Sequence, residues 1–139
     1  MRGYLFLTGY VLFVGVASFL QKFAMKTLSA YQVNALMAIG MLITAVPALW
    51  WAERRLTIPV AALPWGAPVG LLMAVGSIFY VLALADLPAG LAAALSTSYV
   101  VVVVLLSWFF LHEPLGATKI AGLVLVTVGV ALLSWDASR

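Results

Sequence analysis

Apolar and polar positions alternate along this chain in long blocks rather than with the short period of an amphipathic fold. Tyr4 to Leu20 carries no charge for about seventeen residues, and about twenty when Gln21 and the stem of Lys22 reach outward to the interface. After Lys22 and Lys26, a second block runs from Tyr31 to Ala52 and closes on Trp50 and Trp51, just before Glu53, Arg54 and Arg55. Tryptophans beside charges are the expected belt where a helix leaves a bilayer. The stretch 56–64, with Pro59 and Pro64, is the longest connection, and a third block covers Trp65 to Ala85. Only Asp86 and Leu87 separate it from a fourth, which stays uncharged to Leu111; His112, Glu113 and Pro114 end that block, and a last one reaches Trp135. At 1.5 Å per residue, about twenty helical residues span a hydrocarbon core of roughly 30 Å. The pattern predicts an all-α polytopic membrane protein, a single domain over 1–139 built as a bundle of five transmembrane helices at about 4–21, 31–52, 65–85, 87–111 and 119–135. Asp86 is expected to cap the fourth helix, with Pro88 in its first turn.

Composition narrows this further. Hydrophobic residues make up 66% of the chain and charged residues 8%, with a mean hydropathy of +1.21. Ordinary soluble domains carry about 25% charged residues, so this chain lacks the polar surface to cover a water-facing fold. The seven Lys and Arg, and the four Asp and Glu, all fall at block ends or in connections. No basic patch with interleaved aromatics exists, which argues against nucleic-acid binding. Cysteine is absent and there is one histidine, so thiolate chemistry is excluded and neither a metal site nor a cofactor is expected. No nucleophile–base or acid–base pair can be assembled within the membrane blocks, so an enzyme is not expected. The first block is read as a retained helix: it is too long for a signal-peptide core, and Gln21-Lys22-Phe23 is no small-residue cleavage site. For orientation, five crossings place Arg2, Arg54, Arg55 and Lys119 on one side against Lys22, Lys26 and Arg139 on the other. So near a balance leaves two readings open: one topology set by Arg54 and Arg55, or insertion both ways with antiparallel self-pairing.

Polar side chains inside the blocks are the candidate functional groups, because a hydroxyl or amide in hydrocarbon needs a partner. Asn34 lies early in the second block, Ser77 and Tyr80 stand three apart in the third, and Ser96-Thr97-Ser98-Tyr99 lies near the middle of the fourth. The serines and threonine can bond back to their own helix. Tyr80 and Tyr99 have no such recourse and must find an acceptor or face water. A cavity lined by Asn34, Ser77, Tyr80, Ser96 and Tyr99 would suit a neutral or amphipathic organic molecule. Small residues recur at helix-packing positions: Gly66 and Gly70 in the third block, Gly90 in the fourth, Gly122 and Gly129 in the fifth. Such stripes let helix backbones approach closely. Glu113 and Pro114 form a helix elbow.

The stretch Ala92-Ala93-Ala94, the aliphatic run after it and LHEPLGATKIAGLVLVTVGVALL, with Glu113, Gly122 and Gly129 in matching places and a first helix ending in Lys22, resembles a single five-helix repeat of the EamA-type family of the drug/metabolite transporter superfamily. Two departures stand out. His112 precedes Glu113 where the family usually has Gly, and Met37 stands near a place where relatives often carry a basic residue. The small four-helix multidrug-resistance exporters are also similar, but their coupling carboxylate falls on Val14 here. The resemblance implies a transporter of small organic molecules or metabolites working by alternating access. It also implies a dimer, either an antiparallel homodimer or a heterodimer with an oppositely inserted relative, in the inner membrane of a bacterial or archaeal cell. A non-transporting accessory or assembly subunit is the alternative.

Overall fold

The computed structural model describes residues 2–54 and 57–137; of the charges weighed for orientation, Arg55 and Arg139 lie outside them. The helices are α1 (Arg2–Ala24), α2 (Ala30–Glu53), α3 (Leu63–Asp86), α4 (Ala89–Ser96), α5 (Tyr99–Leu111) and α6 (Ala117–Ala137), with one 3₁₀ turn at Val60–Ala62. Five helical stretches among the described residues are long and apolar enough to cross a membrane: Gly3–Ala24, Ala30–Glu53, Val60–Asp86, Ala89–Leu111 and Ala117–Trp135. The chain is therefore an all-α, multi-pass integral membrane protein.

Helix ends follow local chemistry. Ser29 caps α2 reciprocally: its hydroxyl accepts from the Gln32 N–H at 3.3 Å, and the Gln32 carboxamide accepts from the Ser29 N–H at 2.8 Å. Arg54 ends α2 in a left-handed conformation, φ 56°, its N–H donating to Trp50 O at 2.9 Å. His112 does the same for α5 at φ 54°, so that the Glu113 N–H reaches Ser107 O at 3.3 Å. A side chain in this region costs about 1 kcal/mol relative to glycine.

Two expectations are corrected. Asp86 does not cap the fourth crossing; it closes α3, and Pro88 takes the cap position of α4 without any side-chain bond. The fourth crossing is not one helix either. It breaks at Thr97–Ser98, where ψ relaxes to −14° and −16°. The backbone tightens there to three-residue bonds, Thr97 to Ala94 O at 3.2 Å, Ser98 to Leu95 O, Val100 to Thr97 O and Val101 to Ser98 O at 3.1 Å each. Side chains compete for the same acceptors: Ser96 and Thr97 donate back to Ala93 O and Ala94 O at 2.7 and 2.6 Å, and the Thr97 N–H is shared between Ala93 O at 3.3 Å and Ala94 O.

Two compact units form, Met1–Asp86 and Leu87–Arg139. In the first, α3 packs against α2 and α1; in the second, α6 packs against α4. Few side chains are fully enclosed. Val33, Val81, Leu84 and Ser18 are buried in the first unit and Ala92 in the second, while rings such as Phe13 and Trp65 lie more than 80% open. In a bilayer those open faces meet lipid tails as apolar as themselves, so helix association rests on close packing and polar contacts rather than on expulsion of water.

Candidate functional site: a polar seam across three helices

The first unit contains a line of polar groups that no sequence neighbourhood would join. On α1, Ser18, Gln21 and Lys22 stand three and four apart and share one face. On α2, Asn34 and Met37 share a face, and on α3, Ser77, Tyr80 and Leu84 do. The Tyr80 phenol donates to Ser18 Oγ at 2.9 Å, across sixty-two positions of chain, and Ser18 is only 8% exposed. Ser77 Oγ lies 2.9 Å from Asn34 Oδ1 and 2.8 Å from Ala74 O, two acceptors for one proton. Turning the Asn34 amide over resolves the conflict: its nitrogen then donates to Ser77, whose hydroxyl serves Ala74 O.

The seam ends in firmer contacts. Gln21 Nε2 reaches the Met37 sulfur at 3.0 Å, and Gln21 Oε1 is a buried acceptor with no hydrogen-bond partner among the described residues. The Lys22 ammonium donates to Leu84 O at 2.7 Å and Ala85 O at 3.0 Å, satisfying carbonyls that the last turn of α3 leaves open. A cation at that end also meets the negative pole of the helix. Lys22 is thus more than an outward-reaching anchor: it ties α1 to α3.

Of the five pathway candidates, the structure brings together Asn34, Ser77 and Tyr80. Ser96 and Tyr99 belong to the second unit and flank the break between α4 and α5; Ser96 bonds within its own helix, and Tyr99 is 60% exposed. Elsewhere hydroxyls also turn inward, Thr44 to Gly40 O, Thr127 to Leu123 O and Ser134 to Val130 O. Sequence reasoning missed Ser18, whose spacing to Gln21 and Lys22 was the available signal. At the elbow, Pro114 keeps 112–116 out of helix, and the Glu113 carboxylate lies 3.7 Å from the Lys119 ammonium. Gly66, Gly70, Gly90, Gly122 and Gly129 face open space, since a methyl group built on any of them would meet nothing within 4 Å.

The seam offers hydroxyl, amide and thioether groups, and its one charge is engaged by carbonyls. It can hold and orient polar groups. No curated protein and no solved structure matches this chain. A model of the EamA-like transporter family matches residues 1–135. A chain of five membrane-crossing helices matched over nearly its whole length belongs to that transporter family, within the drug/metabolite transporter superfamily.

Proposed function

We propose that this protein carries a small uncharged or amphipathic organic molecule across a cell membrane by alternating access. The observation that carries this reading is the seam itself, because Tyr80–Ser18 and Ser77–Asn34 bridge three helices with neutral groups that can exchange partners with a substrate. Each unit is proposed to offer its own residues to substrate, Asn34, Ser77 and Tyr80 in the first and Ser96 and Tyr99 in the second. A single repeat completes an alternating-access cycle as a dimer with an oppositely inserted copy, since inverted repeats exchange equivalent conformations around one site. The near balance of Lys and Arg across the two faces permits that pairing. The host membrane is proposed to be the inner membrane of a bacterium or archaeon.

The test is flux in proteoliposomes with Tyr80→Phe and Tyr99→Phe. Both substitutions should slow transport of a confirmed substrate while leaving helix content unchanged; unaltered flux in both would remove these residues from the pathway. Reporters fused after Arg139 check the dimer reading, which requires signal from both sides of the membrane or an oppositely inserted partner. One observation favours a second reading as an accessory subunit: the Tyr80–Ser18 and Ser77–Asn34 pairs already satisfy one another. Stable co-purification with an unrelated enzyme, without self-association, would establish it.

A further inference from the structure

The second unit holds a groove that the transport reading does not use. It has a volume of about 590 Å³ and runs along the α5–α6 hairpin. Val100, Val103 and Val104 form one wall, Leu123 and Val126 the other, with Gly122 between them and Glu113 and Lys119 at the mouth. Along α5 the lining runs from Val100 to Ser107, about 10 Å at 1.5 Å per residue, with Glu113 and Leu115 continuing it beyond the helix end. The floor is open at Gly122, where a side chain would meet nothing within 4 Å.

We infer that this groove is a binding site for one phospholipid with a zwitterionic, primary-amine headgroup, phosphatidylethanolamine being the probe of that class. The chemistry at the mouth selects it. Glu113 and Lys119 stand 3.7 Å apart and are about half exposed, 52% and 54%, so each keeps a free side for a second partner. A headgroup carrying one phosphate and one ammonium meets this pair charge for charge, phosphate on Lys119 and ammonium on Glu113. An anionic headgroup would gain Lys119 but face Glu113 with no cation to offer. A choline headgroup would bring the charge without the N–H donors that a carboxylate accepts. Ser107, one turn inward on the α5 wall, lies at the depth where the ester carbonyls of such a lipid would sit. The acyl chain then lies along the aliphatic wall of Val100, Val103 and Val104.

The test is lipid retention. Purified protein is equilibrated with vesicles of phosphatidylethanolamine, phosphatidylcholine or phosphatidylglycerol, re-extracted, and its bound lipid counted by native mass spectrometry. The expected result is one tightly held phosphatidylethanolamine, favoured about threefold to fivefold over the others, as an exposed charge pairing allows. Glu113→Gln should abolish the preference for ethanolamine over choline, and the double exchange of Glu113→Lys with Lys119→Glu should restore it. Gly122→Leu, which fills the floor with a better helix former, should expel the lipid without loss of helicity. Equal retention of all three lipids would mean a non-selective lipid shell and overturn the site. Unchanged retention in Gly122→Leu would overturn it as well. A dimer that forms without any bound lipid would give the groove to a second copy of the chain, with the same consequence.

Discussion

The bond between Tyr80 and Ser18 can be weighed by a double-mutant cycle. Tyr80→Phe removes the phenol O–H but leaves the ring in place, and Ser18 can then turn its hydroxyl to a carbonyl one turn back on α1. Ser18→Ala leaves the phenol with no such recourse, because its oxygen stands too far from its own backbone. The second change should therefore be the costlier, at about 1–3 kcal/mol for a polar group left unpaired. The first should cost less than about 1 kcal/mol, and the coupling between them should fall near the ~0.6 kcal/mol average for bonds between transmembrane helices, with ~1.7 kcal/mol as the ceiling. The assay is reversible unfolding in mixed micelles, titrated with a denaturing detergent and followed by circular dichroism for both single variants and the double. A coupling indistinguishable from zero, or Tyr80→Phe costing more than Ser18→Ala, would refute the reasoning and leave the seam as a coincidence of proximity.

Three further outcomes are expected. His112→Gly should raise stability by about 1 kcal/mol in the same assay, because glycine adopts φ near 54° without steric cost. Lys22→Met should destabilise the first unit by about 1.5–3 kcal/mol, the range for hydrogen bonds to charged groups, while Lys22→Arg should recover most of the loss; equal stability of Met and Arg variants would show that the tie to Leu84 and Ala85 carries no energy. Replacing Ser96 and Thr97 together by alanine should release Ala93 O and Ala94 O from the side-chain bonds and return Thr97–Ser98 to the α-helical ladder, read as slower amide hydrogen exchange at Ser98, Val100 and Val101.

The five crossings were legible because each is an uncharged window of membrane length, and periodicity plays no part in that inference. The break at Thr97–Ser98 was not legible: three hydroxyl residues hardly lower the hydropathy of the run, and only the direction each hydroxyl takes decides between ladder and back-bond. Asn34, Ser77 and Tyr80 could be nominated from the cost of burying polar groups in hydrocarbon, but their partners could not. Ser18 meets Tyr80 across sixty-two positions, a distance at which spacing rules carry no information. Asp86 illustrates a third kind of difficulty. A carboxylate between two helices can serve the end of one or the start of the next, and local chemistry favours the start, whereas α3 continued through it.

The tie between Lys22 and the end of α3 also sets an order of events during biogenesis. The lysine is synthesised sixty-two residues before Leu84, one of the residues whose carbonyls it ties. At about 5–20 residues per second, roughly 3–12 s pass before those carbonyls exist. Until then the Lys22 bonds to Leu84 O and Ala85 O cannot form, and α1 keeps a freedom that this tie later removes. Completion of α3 ends that freedom, so any nascent chain cut short of Leu84 should present quality-control proteases with a loosely anchored first helix.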